Sequence, residues 1–493
     1  MPEPREFDYV IVGAGSAGLV LANRLSVNPY VSVCVIEAGK PDTNPFIHIP
    51  FGLAAIVRFK SLDWGYETVA QPALDGRRLY WPRGKVLGGS SSINAMCYIR
   101  GAPGNYDEWE KLGAKDWNWQ SVLPHFLKSE NNGRGASPLH GNNGPLPVSD
   151  NPDPSLLSRV FIEAGTQLQL PHNPDFNGSQ QMGVGLYQTT TLNGRRASTS
   201  VAYLRPVAER KNLIRITGAQ VRRILFDGNR AKGVEIDAGA SCETITAGRE
   251  VLVCGGAINS PQLLMLSGIG PSSHLSAHGI PLVQDLPGVG SNLQDHLDII
   301  VQTEGSTAES YGFAPRAALR TAMHVPRYLR TGRGIPASTL AEAGGFVRSS
   351  LAGDLPDIQW HFIPARIENH GRSTVFGYGY SLHACNLYPQ SRGTIRLASA
   401  NPLDKPLIDP NYLASERDLD MMLEALAWSR SILIAPAFDA YRKQQLEKLE
   451  AEFHPVAFFL RPQWDDELIE IVAKSERWRR IYADENAAVF VRR

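Results

Sequence analysis

An α/β fold is predicted, in which a parallel sheet is joined to a second α+β domain built on a mixed or antiparallel sheet. Three observations predict it. The stretch FDYVIVGAGSAGLVLANRLSVNPYVSVCVIEAG, from Phe7 to Gly39, reads as strand, glycine turn, helix and strand. The stretch EVLVCGGAINSPQLLMLSGIGP, from Glu250 to Pro271, repeats the order strand, glycines, helix, so the chain is expected to return to the first sheet. From Leu297 onward the composition shifts to short alternating strands, which marks the second domain.

The first stretch carries the most chemistry. Tyr9 to Val12 is an apolar run ending in Gly13, Gly15 and Gly18, and Leu21, Ala22 and Leu25 follow at helical spacing. Gly13 allows a tight turn, Gly15 lets a pyrophosphate approach the backbone, and Gly18 lets the helix pack on the strand. Free N–H groups at the helix start suit an anion. The second strand, Val31 to Ile36, delivers Glu37, a carboxylate suited to a ribose diol and hostile to a 2′-phosphate. This Rossmann-like unit fits NAD and FAD equally.

Residues 40–79, rich in proline and aromatics, are expected to form an extended cover over the nucleotide fold. WPRGKVLGGSSSINAMCYIRG, from Trp81 to Gly101, follows with Gly84, Gly88 and Gly89, three serines and small residues entering a helix. Glycines that admit a ligand beside hydroxyls that bind it suggest a second contact with a large dinucleotide. Helices are expected at Asn105 to Lys111, Trp119 to Ser129 and Leu156 to Leu168, strands at Gly183 to Thr191, Asn212 to Thr217 and Val221 to Phe226. The Gly, Asn and Pro-rich tract from Asn131 to Pro154 is a candidate boundary.

PGVGSNLQDH, from Pro287 to His296, sets Asp295 beside His296, but adjacent residues rarely face one another, so a hydrogen-bonded loop is the expectation. The second domain's strands are placed at Ile299 to Thr303, Gly344 to Arg348, Asp357 to Phe362, Tyr378 to Cys385 and Gly393 to Leu397. Trp360 and Phe362 read as core residues, although with His361 they could line an aromatic pocket. A final helix, Ser415 to Ile434, should bury Leu419, Met422, Leu423 and Leu426.

Composition narrows the function. The 493 residues balance 49 Lys plus Arg against 49 Asp plus Glu, with none of the basic excess of a nucleic-acid binder. Five scattered cysteines without a CxxC pair argue against a disulfide framework or a zinc site. No apolar run approaches the roughly 18 residues needed to span a bilayer. The leader before Tyr9 is too short for a signal peptide, so the expected location is cytoplasmic, with peripheral membrane contact open.

Taken in order, DYVIVGAGSAG, Glu37-Ala38-Gly39, GKVLGGSSSIN, GGAINSPQLLMLSGIGP, VGSNLQDH and Ser391-Arg392-Gly393 resemble the glucose-methanol-choline (GMC) family of flavin oxidoreductases, in its choline dehydrogenase-like branch. The motifs cover the chain from about residue 7 to about residue 440. The resemblance implies FAD as cofactor, a small-molecule primary alcohol as substrate, hydride transfer to flavin N5 to give the aldehyde, and a separate electron acceptor. It places FAD contacts at Gly13, Gly15, Gly18, Glu37, Val86, Asn94, Ala95, Met96, Cys97 and Val221. Some relatives attach the flavin through a histidine where this chain has Ile93, so noncovalent FAD is implied. The implied domains are 1–155 with 196–300 for FAD, and 156–195 with 301–493 for substrate.

One segment departs from the family. Relatives carry a Tyr-His-Pro-Val-Gly-Thr-Cys segment with the catalytic histidine, after a helix resembling Asp465 to Lys474; this chain reads Arg480-Ile481-Tyr482-Ala483-Asp484-Glu485. Alanine stands in the histidine's place and the catalytic base is unassigned, while Phe453-His454-Pro455-Val456 is a displaced echo of the motif. The expectation is therefore an alcohol-oxidising flavoenzyme by descent with its catalytic segment missing. The alternatives are a truncated remnant that holds FAD without turnover and a NAD-binding protein.

Overall fold

The computed structural model describes residues 5–59, 62–237, 239, 242–312, 314–373 and 375–443, and the backbone of strands within 457–460, 478–483 and 488–492. Residues up to 442 form one compact unit and residues 443–493 another.

The first unit holds two large sheets. In the first, Arg5–Val12 (β1) turns at Gly13 into the helix Ser16–Leu25 (α1), which leads to Val33–Glu37 (β2). Every residue of β2 is buried, as expected of an interior parallel strand covered on both faces. Leu213–Thr217 (β3) pairs in parallel with β2 on one side. Gln220–Asp227 (β4), Arg230–Asp237 (β5) and the long Cys242–Val253 (β6) form an antiparallel meander. The second half of β6 then runs parallel to β1, with Val10 opposite Val251, and leads into the helix Gly256–Leu266 (α2). The expected return to the first sheet is observed.

Although β3 and β4 are separated only by Gly218 and Ala219, they occupy opposite ends of the strand order β3-β2-β1-β6-β5-β4. The meander makes this possible by folding back over the parallel strands. Ile224, Val234, Ile236 and Ile245 pack with Val10, Val12, Cys34 and Ile36 in one apolar cluster. Burial of that face holds the meander down.

In the second sheet, Asp298–Glu304 (β7), Ala343–Val347 (β8), Ile358–Ile363 (β9) and Gly379–Asn386 (β10) join the edge strand Gly183–Leu186 in a wholly antiparallel array. The helix Pro315–Thr331 (α3) lies between β7 and β8 in the chain, and Glu416–Leu433 (α4) follows the sheet. One sheet face carries Trp360, Phe362, Tyr380, Leu382 and Ala384, packed with Phe161 and with Met421, Ala425 and Ile432 of α4. Trp360 and Phe362 are thus core residues. The alternate residues Asp298, His361, His383 and Cys385 belong to the opposite face, as the two-residue period of a strand requires.

Several expectations need correction. Residues 40–79 contain short helices at Pro45–His48 and Leu53–Phe59. The second glycine motif forms only a single turn, Gly89–Ser92, because Gly88 and Gly89 adopt positive φ angles that an α-helix does not admit. The strand beginning at Gly183 stops at Leu186, and Thr191–Leu192 pairs instead with Arg195–Arg196 across an Asn-Gly turn. Thr394–Arg396 belongs to a small separate ladder with Leu407–Asp409. In α4 the buried stripe is Met421, Met422, Ala425, Ser429, Ile432 and Leu433, while Leu419 is exposed. The Ser429 hydroxyl takes the Trp360 indole N–H at 3.1 Å, so a polar contact helps to choose the buried face. Residues 454 and 465–474 lie outside the described residues. Ala483 ends the strand Trp478–Ala483 of the second unit.

Candidate functional site

The three glycine motifs, distant in sequence, converge on one cleft of about 510 Å³. Gly13 has φ +99°, and a methyl group there would come within 2.5 Å of the Cys254 carbonyl oxygen. The first and third motifs therefore touch through backbone alone. The second closes in from the other side, since the Gly88 N–H donates to the Ala14 carbonyl at 2.9 Å and a methyl on Gly89 would stand 2.7 Å from the Gly15 Cα.

Two helices begin at this cleft. Gly15 caps α1 and Gly255 caps α2, neither with a side-chain hydrogen bond, and the first turn of each lacks an acidic residue. First-turn N–H groups without intrahelical partners, at the positive end of a helix dipole, form an anion site. Gly15, Ser16 and Ala17 line the cleft opposite Gly255, Gly256 and Ala257, with Arg83 adding positive charge.

Glu37 closes one end. Its carboxylate accepts the Ala14 N–H at 2.9 Å and the Gly39 N–H at 2.8 Å, which aims the group while leaving lone pairs for a further donor. Burial raises its pKa, and the Gly39 and Ala14 hydrogen bonds oppose that rise. Gln220 and Val221, at the start of β4, form the neighbouring wall together with Ala219.

Of the residues singled out in the sequence, Gly13, Gly15, Glu37 and Val221 line the cleft, whereas Gly18, Val86, Asn94, Ala95, Met96 and Cys97 lie outside its wall. Gly18 supports the wall from behind, where a methyl group would meet the Gly13 carbonyl oxygen at 1.9 Å. Val86 is fully buried, and its backbone bridges Lys40. Asn94 to Cys97 runs on toward the second sheet. Its end is anchored by a bridge from Cys97 to Thr189 and by the Cys97 thiol donating to the Ala341 carbonyl. Burial pushes that thiol up to about 12.

Arg196 escaped the sequence reading. Its guanidinium is buried and donates to the carbonyl oxygens of Ile47, Ser91 and Asn94 and to the Asn94 side chain, so it clamps the second glycine motif to the segment before it. Burial brings its pKa down to about 9, and its Nη2 atom has no hydrogen-bond partner among the described residues. The Asn193-Gly194 turn was the available signal, because it places Arg196 opposite the buried Thr191.

The polar face of the second sheet forms a further cluster. His383 Nδ1 lies 2.7 Å from an Asp298 carboxylate oxygen, and His361 sits directly across from His383 on the neighbouring strand. Burial, reinforced by His383, lowers the His361 pKa to about 4, so its imidazole is neutral at pH 7. The Tyr187 ring packs 5.5 Å from the His361 ring. PGVGSNLQDH reaches this cluster at its end, where His296 acts on His361; Leu293 bridges Gly393, and Asp295 accepts the Tyr412 hydroxyl, so the segment is the hydrogen-bonded loop expected of it. Among the described residues no group of His, Cys, Asp and Glu is placed to hold a metal ion.

Comparison with known proteins bears on the same residues. The GMC oxidoreductase family pattern matches residues 7–298 in its N-terminal part and residues 389–481 in its C-terminal part. The second match runs past residue 440 and ends at residue 481, immediately before Tyr482-Ala483, where the Tyr-His-Pro-Val-Gly-Thr-Cys segment is lacking. An alcohol dehydrogenase [acceptor] of Pseudomonas putida is 46% identical over 89% of this chain and 80% of its own length. An oxygen-dependent choline dehydrogenase of Brucella suis is 41% identical over 91% of this chain and 85% of its own. The crystal structure of pyridoxine 4-oxidase from Mesorbium loti superposes with a TM-score of 0.80 at 33% identity, covering 91% of this chain and 84% of that one. These similarities support the enzymatic reading over a remnant without turnover.

Proposed function

The chain belongs to the GMC oxidoreductase family, and from that premise we propose that it oxidises a primary alcohol, choline-like or aliphatic, to the aldehyde with FAD. The observation that carries this reading is the cleft itself, where two uncapped helix starts and the Glu37 carboxylate face one another. A diphosphate fits the first and a ribose diol the second. Gly15 forms the cradle between them, because a methyl group added there would meet no protein atom closer than 3.9 Å and would project into the ligand's space.

When bound, FAD supplies the hydride acceptor. The protein's own part is to bind, orient and handle the proton. Gly13, Gly15 and Glu37 would hold the adenosine diphosphate half and Val221 would bound the adenine side, while Val86 and Asn94 to Cys97, outside the cleft wall, would contact the rest of the cofactor. The alcohol docks against the polar face of that sheet. There the neutral His361 imidazole, whose Nε2 already accepts from the Gln359 amide at 3.3 Å, and the Asp298–His383 pair would set the polarity of the surface that meets the hydroxyl. A separate electron acceptor would be needed to complete the redox cycle.

We assign residues 1–155 and 196–300 to FAD binding, and 156–195 and 301–493 to the substrate side. The assignment is supported by strand membership, since Gly183–Leu186 lies at the edge of the second sheet and helix Leu156–Gln167 packs on it. Noncovalent FAD is supported by Ile93, an apolar side chain packed with Ile47, Ile56, Leu62 and Val86. A cytoplasmic site of action is supported by the five cysteines, all of them free.

The test is anaerobic mixing of the FAD-loaded protein with choline and with a series of aliphatic primary alcohols, followed by flavin absorbance. Bleaching that scales with alcohol concentration and yields aldehyde is expected. A flavin that stays oxidised with every alcohol would refute the reading.

A further inference from the structure

We propose that helix α3, Pro315–Thr331, docks the protein on the surface of bilayers that contain anionic phospholipid. Leu319, Met323 and Leu329 are exposed by 62, 64 and 78%, although apolar side chains of this size are normally covered. At roughly 100° per residue they fall within about a third of the helix circumference, an arc that also holds the exposed Ala322, Pro326 and Arg330. The opposite side is anchored. Ala317 and Tyr328 are buried, and the Tyr328 hydroxyl donates to the Gly194 carbonyl at 3.2 Å.

Charge identifies the occupant. The helix carries Arg316, Arg320, Arg327 and Arg330, with Arg333 just beyond, and contains no acidic residue, in a chain whose formal charges cancel. Arg320 pairs with Glu309 and Arg327 with Asp153, which leaves Arg316, Arg330 and Arg333 exposed and without a carboxylate partner among the described residues. Arg316 stands in the first turn, where the helix dipole disfavours a cation, so local stability does not account for it. An apolar stripe with arginines along one flank, set on a folded body, is the form of an interfacial helix, its apolar side entering the acyl boundary while the guanidinium groups meet phosphate. A second copy of the chain is a poorer occupant. Two-fold pairing of this patch with itself would bring arginines against arginines. No described helix is long and apolar enough to cross a membrane, so the contact is with the surface.

The test is cosedimentation of the full, FAD-loaded chain with vesicles of phosphatidylcholine alone and of phosphatidylcholine with one-third phosphatidylglycerol. Binding to the second and not the first is expected, and added salt should weaken it. Each of Arg316→Gln, Arg330→Gln and Arg333→Gln should lower the partition coefficient about 5-fold. Leu319→Glu combined with Met323→Glu should abolish binding, with thermal unfolding unchanged because both sites are exposed. The proposal is overturned if neither vesicle binds, if the variants bind as well as the parent, or if sedimentation velocity shows a dimer that the Glu variant converts to monomer.

Discussion

Gly15 and Gly18 stand three residues apart at the start of α1, and a methyl group added to each meets different surroundings. At Gly15 it points into the cleft with nothing closer than 3.9 Å, and at Gly18 it overlaps the Gly13 carbonyl at 1.9 Å. Gly15→Ala is therefore expected to fold with near-parental thermal stability yet lose FAD affinity at least 10-fold. Gly18→Ala should fail to fold or melt far lower, because backbone cannot move aside as a side-chain tip can. Flavin titration and thermal melts of the two variants check the contrast, and equal behaviour would sink it. His361 gives a pH effect of definite sign. Its pKa is about 4 in the fold, against about 6.5 in an unfolded chain. Between those values the unfolded state binds more protons, so stability should fall as pH drops from 6.5 toward 4, by at most about 1.4 kcal/mol per unit. Urea melts at pH 7 and pH 5 should show a smaller loss in His361→Gln than in the parent. An unchanged loss would mean that the imidazole is not held neutral.

Elements in this fold owe their positions to the faces they bury. β9 places Trp360 and Phe362 in the core, where the Phe362 ring stacks on Phe161 at 5.1 Å and the Trp360 indole reaches Ser429. Trp360→Ala removes the largest fully buried side chain among the described residues and leaves a cavity, so the unfolding free energy should fall by about 3 to 5 kcal/mol. Denaturant titration would show it. A loss under 1 kcal/mol would mean that α4 can collapse onto the gap. The meander of β4 and β5 makes the same point without mutation. Its strands turn back over the parallel sheet because Ile224, Val234 and Ile236 must cover Val10, Val12 and Ile36.

For the molecule as a whole, the mode of cofactor attachment follows from packing around the second glycine motif. Ile93 offers no nucleophile, and it is enclosed by Ile47, Ile56, Leu62 and Val86. Acid precipitation of the FAD-loaded protein should leave a colourless pellet and flavin in the supernatant. Flavin mass on the denatured chain would contradict this. Bound FAD should also raise the melting temperature in proportion to the logarithm of its free concentration, since it binds the folded state alone.

The first wall of the cleft was legible in the sequence because its parts are local. Gly13, Gly15 and Gly18 lie in one strand–turn–helix unit, and Glu37 ends the next strand, so spacing alone placed them. Most strands and helices were legible for the same reason, through periods of two or 3.6 residues set by the backbone. Other features depended on contacts between residues far apart in the chain. Arg196 clamps Ser91 and Asn94 across about a hundred positions, and no local pattern marks a buried guanidinium whose partners are backbone carbonyls. The single turn at Gly89–Ser92, where a helix was expected, reflects its fit against Gly15 and Ala14. The buried stripe of α4 was misjudged because hydrophobicity alone favours Leu419, whereas the sheet it meets accepts Met421, Ala425 and Ser429. The grouping of Asp298, His361 and His383 required knowing which strands are neighbours and in what register, and register is decided by the packing of whole faces, a property that belongs to the tertiary structure.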